Sequence, residues 1–182
     1  IKATQDLQVG PNDDDDFGPV INQGQLDQMV EAIERAKADG ATVVFGGVRL
    51  DGEGHQGGYY LAPTIIENAA STAAISTTEL FGPITCLYRV GDFDEAVALA
   101  NESPFGLTAS IHTANIDRAM TFIGRVQSGV AVVNGATYGS EPHMPFGGLK
   151  QSGNGTREAG TEAIDVYSEL KTVYIHHDET QV

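Results

Sequence analysis

Apolar residues recur every three to four positions over 23–39, where Leu26, Met29, Val30 and Ile33 fall on one stripe, and this spacing predicts an amphipathic helix. Asn22 stands at its N-cap with Gln25 placed to reach back. Ile21 and Leu26 occupy the staple positions, and Gly40 supplies the stop. A short apolar run over 41–45 reads as a buried strand. After a Gly-rich turn over 52–58, residues 60–66 read as extended, with Pro63 favouring a sheet edge. Residues 84–90 form the next strand candidate. Asp92 and Glu95 then give a capping-box pattern for a helix to about 102, ended by Ser103-Pro104. A strand over 108–113 follows. Asn115 caps a helix carrying Ile116, Ala119, Met120 and Ile123 on one face, Gly129 ends it, and 130–133 is apolar again. Strand and helix alternating with short connections predict an α/β fold with a largely parallel sheet and flanking helices.

The pattern then changes. Residues 134–155 are rich in Gly, Pro and polar side chains and lack a period, the mark of a long functional or disordered loop. A helical stretch is expected around 157–164. The last predicted strand, 166–175, sets Val166, Ser168, Leu170, Thr172 and Tyr174 on one face and Tyr167, Glu169, Lys171, Val173 and Ile175 on the other. A long strand in this place needs a partner edge in the same domain or in a neighbouring subunit. The chain is therefore read as a main body over 1–165 and a strand with tail over 166–182.

Composition narrows the picture. The chain has 182 residues, 41% of them hydrophobic, enough for one globular domain. No apolar stretch approaches the roughly 20 residues of a membrane span, and the opening Ile1-Lys2-Ala3-Thr4 resembles no signal and reads as the start of a fragment. With 25 acidic against 10 basic residues, the net charge of -15 repels phosphate backbones and anionic lipid, so neither nucleic acid nor a membrane is expected as partner. Two origins fit the acidity: a salt-loving source, or a basic complement elsewhere in a longer protein. The single cysteine, Cys86, excludes an internal disulfide, gives no metal-ligand spacing, and fits a reducing, cytoplasmic compartment.

The candidate chemistry sits at two turns. Glu79 lies ahead of Phe81-Gly82-Pro83 and a strand; a carboxylate there suits either a solvated surface or cap, or the vicinal hydroxyls of a ribose. In an extended segment Phe81 shares its side and offers a flat aromatic wall. Phe146, in Pro145-Phe146-Gly147-Gly148, reads from the residues alone as a core plug beneath a glycine turn. Cys86 alternates with Ile84 and Tyr88, has no His or Lys beside it in sequence, and reads as structural. His55, His112, His143, His176 and His177 show no ligand spacing, and Asp13 to Asp16 lack the Gly and terminal Glu of an EF-hand loop. No metal site is expected.

Ordered together, these segments resemble the closing portion of the aldehyde dehydrogenase superfamily. They are Gly18-Pro19-Val20-Ile21-Asn22, Ala62-Pro63-Thr64, Glu79-Leu80-Phe81-Gly82-Pro83, Phe105-Gly106-Leu107-Thr108, Val133-Asn134, Met144-Pro145-Phe146-Gly147-Gly148 with Lys150 and Ser152-Gly153, and Arg157-Glu158-Ala159-Gly160. The resemblance implies that family's catalytic-domain fold with the final strand as an oligomerisation arm. It implies NAD or NADP as cofactor, with Glu79 on the nicotinamide-side ribose and Phe81 against the nicotinamide ring. The family often has a second acidic residue before that Glu; here Thr78 stands instead. By the same resemblance Phe146, Tyr138 and His143 line the aldehyde channel, where Tyr138, Ser140, Glu141 and His143 favour a small or carboxylate-bearing aldehyde. The family's mechanism joins a cysteine nucleophile, a glutamate base and hydride transfer. Both catalytic residues are expected upstream of Ile1, so the chain alone is expected to be inactive. A homodimer or homotetramer through 166–175 is expected, and the rival reading is a non-catalytic binding or oligomerisation module of the same fold.

Overall fold

The computed structural model describes residues 1–176, which divide into two compact units, Ile1–Ser103 and the residues from Pro104 on. The first unit begins with α1 (Lys2–Gln5) and α2 (Gln23–Ala38). It continues through β1 (Thr42–Phe45), β2 (Arg49–Leu50), β3 (Tyr60–Leu61), β4 (Thr64–Glu67), α3 (Ala74–Thr77) and β5 (Ile84–Leu87), and ends with α4 (Phe93–Glu102). α2 starts where the sequence asks it to: the Asn22 Oδ1 accepts the Gln25 backbone N–H at 2.8 Å. Its stripe is the core of this unit. Leu26, Met29, Ile33 and Ala36 are buried together with Leu61, Ile66 and Ile75. Each fully buried Leu, Ile or Met side chain contributes about 1.5–3 kcal/mol, so α2 and β4 anchor everything that follows.

The sheet of this unit has the order β1-β4-β5. β1 pairs antiparallel with β4, with a bulge between Val43 and Phe45, and β4 pairs parallel with β5 from Thr64↔Ile84 to Glu67↔Leu87. β2 and β3 form a separate antiparallel pair. The expected single strand over 60–66 is thus two, broken at Ala62-Pro63. The edge position expected for Pro63 is not met: β4 is the central strand, and Pro63 precedes it. A Cβ at Gly46 (φ +70) would meet the Pro63 carbonyl oxygen, so this crossing needs glycine.

The second unit holds β6 (Phe105–Gly106), β7 (Thr108–Ile111), α5 (Ile116–Arg125), β8 (Val130–Val133), β9 (Leu149–Lys150) and α6 (Ala163–Val166). β7, α5 and β8 make a parallel crossover unit with register Thr108↔Val130 to Ile111↔Val133, and β6 pairs antiparallel with β9. Asn115 caps α5 through the Arg118 backbone N–H at 3.1 Å. The helix buries Ala119 and Phe122, while Ile116, Met120 and Ile123 are exposed.

The α/β class holds, and the sheets are mixed where a largely parallel one was expected. Parallel pairing occurs in β4-α3-β5 and β7-α5-β8, where a helix crosses between the strands; the β1-β4, β2-β3 and β6-β9 pairings run antiparallel. Two expectations near the end are not met within the single chain. Helix over 157–164 gives way to α6 alone, because Glu158 is drawn into a bridge with Phe146 and Ala159 and Gly160 both take positive φ, 58° and 64°. Residues 167–176 form no strand: Val166 ends α6, and Tyr167, Leu170, Tyr174 and Ile175 are exposed. Strand geometry there requires an edge to pair with, and among the described residues none does so. His177 and the residues after it lie outside those described.

Candidate functional site

In the first unit the segment 79–83 is built on α2. The Gln25 side-chain amide donates to the Leu80 carbonyl at 2.6 Å, across 55 positions of sequence. The expected backward reach of Gln25 to its own N-cap therefore does not occur; that side chain is used here instead. Met29, fully buried, lies beneath Gly82, and a Cβ added at Gly82 would run into the Met29 sulfur. On the far side the Pro83 carbonyl accepts the Thr64 N–H at 2.8 Å, and the Ile84 N–H donates to the Gly82 carbonyl at 2.8 Å. Helix, strand and turn are locked from three directions.

What this locked turn presents is an aromatic ring. Phe81 is 77% exposed and sits at φ 47°, in the left-handed region that costs a non-glycine residue on the order of 1–3 kcal/mol. The simple alternation expected to align Phe81 with Glu79 therefore does not apply, since the backbone is not extended at Phe81. Both nonetheless border one cavity of about 420 Å3, together with Ser76, Cys86 and Tyr88. Glu79 is exposed at its rim. Phe81 also borders a second, largely apolar hollow of about 580 Å3 with Phe17, Pro19, Ile21 and Pro83. Phe81 thus belongs to the lining of both concavities.

Cys86 lines the first cavity without the environment of a nucleophile. Desolvation pushes its thiol above the ordinary range, outweighing hydrogen bonds with Tyr88 and Ser76 that act the other way. The Tyr88 hydroxyl, also raised by burial, donates to the Ser76 Oγ at 2.5 Å. An activated thiol needs the reverse, a positive neighbour or a helix N-terminus. The alternation of Cys86 with Tyr88 was visible in the sequence; Ser76, from α3, was not.

In the second unit Phe146 is half-buried, and its backbone exchanges both hydrogen bonds with Glu158, each at 2.9 Å. The glycines beside it pack backbone on backbone. A Cβ at Gly129 would collide with the Gly147 carbonyl, one at Gly153 with the Gly148 carbonyl, and one at Gly148 with Ser152. Arg157 adds a hydrogen bond to the Thr156 carbonyl at 2.8 Å. At the end of β8 the Asn134 side chain clasps Thr113, accepting its N–H at 2.8 Å and donating to its carbonyl at 2.9 Å. The loop beyond carries Tyr138, 87% exposed, and His143, also exposed; it returns to the turn through the Gly160 N–H, which donates to the Pro142 carbonyl at 3.1 Å. Among the described residues no group of three or more His, Cys, Asp or Glu side chains could hold a metal ion, and no helix is long and apolar enough to cross a membrane.

With this geometry in hand, comparison with known proteins is direct. The profile described as "Aldehyde dehydrogenase family" matches residues 1–173. An alpha-ketoglutaric semialdehyde dehydrogenase of Bacillus subtilis is 38% identical over 177 residues, covering 96% of this chain and 36% of that protein. An alpha-ketoglutarate semialdehyde dehydrogenase of Haloferax volcanii is 39% identical over 175 residues, with the same coverage of 96% and 36%. Among solved structures, a betaine aldehyde dehydrogenase of Staphylococcus aureus in complex with NAD+ superposes with a TM-score of 0.86 at 30% identity, covering 92% of this chain and 33% of that one. The chain thus spans about a third of the length of these proteins. It belongs to the aldehyde dehydrogenase family.

Proposed function

We propose that this chain supplies the nicotinamide-side wall and part of the aldehyde channel of an NAD(P)-dependent aldehyde dehydrogenase, whose nucleophile and base come from outside these residues. One observation carries the reading: Glu79 and Phe81 border one cavity, the ring exposed on a left-handed backbone that its own side chain does nothing to stabilise. Strain kept at an exposed aromatic points to a ligand as its beneficiary. The residues fit a nicotinamide dinucleotide. The Glu79 carboxylate, exposed and acceptor-only, can take two ribose hydroxyls, and the Phe81 ring can lie against a flat heterocycle. The cofactor, when bound, accepts a hydride from the substrate. This chain's own part is to fix the ribose, back the ring and exclude water.

Phe146, Tyr138 and His143 are assigned to the aldehyde side, and the polar loop they belong to favours a small or carboxylate-bearing aldehyde. The semialdehyde named for two relatives supports that class. A reducing cytoplasmic setting suits the lone thiol. In the longer protein Glu79→Ala is expected to weaken NAD(P)+ binding while leaving the fold intact. Unchanged cofactor affinity and turnover would defeat the assignment.

A second reading has its own observation. Tyr167, Leu170, Val173, Tyr174 and Ile175 are exposed apolar residues without a partner strand, which favours an arm over 166–175 that pairs with a neighbouring subunit in a homodimer or homotetramer. Deleting the residues from Val166 onward is expected to give monomers or aggregates by light scattering. A mass that does not change would remove the assembly role.

A further inference from the structure

We propose that Asn154 is a site of spontaneous deamidation, ageing through a succinimide to aspartate and isoaspartate, while the fold protects Asn134. The chain contains two Asn-Gly pairs, Asn134-Gly135 and Asn154-Gly155. In such a pair the glycine nitrogen, unshielded by any side chain, attacks the Cγ of the asparagine amide. The nitrogen gives its proton to solvent base, the N–Cγ bond forms, and the amide Nδ2 leaves as ammonia. The ring then takes up one water at either carbonyl. Opening at one gives aspartate; opening at the other gives isoaspartate, whose main chain is longer by the side-chain methylene. Either product adds one negative charge. The proposal stands apart from the cofactor and aldehyde assignments.

Sequence makes the two pairs equivalent and both asparagines are exposed, so the difference between them is geometric. The Asn154 Oδ1 accepts two hydrogen bonds from Thr156, from its N–H at 3.1 Å and its hydroxyl at 2.7 Å. Both donors sit on the oxygen that gains negative charge as the ring closes, so they favour the closing step. Among the described residues nothing holds the departing Asn154 Nδ2, and nothing accepts the Gly155 N–H. Gly155 lies at φ 97°, and a Cβ built on it would meet no atom within 4 Å, so its peptide has room to turn toward Cγ.

Asn134 is the reverse. Its Nδ2 is tied to the Thr113 carbonyl at 2.9 Å, and its Oδ1 accepts the Thr113 N–H at 2.8 Å. Its own N–H donates to the Ile111 carbonyl at 2.8 Å, and the Gly135 carbonyl accepts the Ser110 hydroxyl at 2.7 Å. A Cβ at Gly135 would stand 3.0 Å from Val132. Ring closure there must break the clasp and release Gly135 from β7. At Asn154 the product would lengthen the chain between two fastened points. Gly153 lies against the Gly148 carbonyl, and the Thr156 carbonyl is held by Arg157 at 2.8 Å.

The test incubates the longer protein that carries this chain at mildly alkaline pH and follows both Asn-Gly peptides by mass spectrometry. Isoaspartate is read separately by enzymatic methylation. Asn154 is expected to deamidate faster than Asn134 by on the order of tenfold or more, the scale of the hydrogen bonds that must break at Asn134. The same incubation in guanidinium chloride is expected to bring the two rates together, since only the fold distinguishes the pairs. Thr156→Val removes the hydroxyl donor and keeps the N–H. It is expected to slow Asn154 roughly threefold to tenfold, the scale of one hydrogen bond to a developing charge. Asn154→Gln is expected to end isoaspartate formation at this position. An Asn154 that keeps its amide, or reacts no faster than Asn134 in the folded protein, would overturn the proposal. A ratio that persists in denaturant would overturn the part assigned to the fold, and an unchanged or faster Thr156→Val the part assigned to the hydroxyl.

Discussion

At Phe81 a side chain from a distant helix grips the backbone, whereas at Phe146 the backbone grips itself. The first turn is held by the Gln25 amide, the Met29 thioether and a strand N–H; its ring stands out into solvent on a left-handed residue. The second is held by glycine against glycine and by a two-way bridge to Glu158; its ring is half-buried on backbone that needs no positive φ at Phe146. The contrast teaches where tolerance lies. A turn fastened by side chains loosens by degrees when one is changed, and a turn fastened by backbone contact has no atom that can move aside. Function and stability should therefore separate at the first turn and fall together at the second.

The largest effect is expected at Gly129. Gly129→Ala drives a methyl into the Gly147 carbonyl, a backbone atom, and is expected to cost about 3 kcal/mol, the upper end of overpacking. Urea unfolding measures it, and a midpoint that does not move would show the second turn to be as adaptable as the first. Next comes Glu79→Ala, expected to lower cofactor affinity or turnover by roughly 10- to 150-fold, the equivalent of ~1.5–3 kcal/mol for hydrogen bonds to a charged group. Stability should change little, since the side chain is exposed; a large loss of stability would mean the carboxylate is structural.

Phe81→Gly sharpens the comparison through opposite signs. Relief of the left-handed strain is expected to raise stability by up to about 1 kcal/mol, while removal of the ring weakens cofactor binding. A lower thermal midpoint would mean that the ring packs rather than presents itself. The smallest effect concerns pH. Burial raises the Cys86 thiol, so the unfolded state loses its proton first as pH climbs above about 8.5. The unfolded state then binds fewer protons than the folded one, and stability declines with rising pH until the folded thiol also ionises. Tyr88 adds a decline of the same sign at higher pH. Cys86→Ala is expected to flatten the first part of that decline in denaturation curves at pH 8 and 10. An unaltered slope would remove the thiol from it.

Much of the local structure was legible. Asn22, Asp92 and Asn115 each cap the helix they precede, because a cap is decided by side chain and backbone three residues apart. The buried stripe of α2 is read directly from the period of Leu26, Met29 and Ile33. The ordered motifs led to the right family. What misled was any inference that extended local geometry across a turn. Alternation was taken to align Glu79 with Phe81, but they share a cavity through a left-handed kink that no period records. Gln25 fits a capping box on spacing alone, yet its amide has a partner 55 residues away. β9, a two-residue strand inside the long loop, is defined only by its pairing with β6.

By itself, then, the sequence determined α2, α4 and α5 with their caps, the apolar stripe of α2 and the family, because each depends on neighbours within a turn or two or on motifs kept in order. Only the tertiary structure decided which carbonyl Gln25 holds, that Ser76 and Tyr88 join Glu79 and Phe81 around one cavity, and that Gly129 must be bare where Gly147 crosses it. Those are contacts between segments far apart in the chain. They are fixed by where the buried face of α2 and the strand pairings bring the backbone, which no local preference encodes.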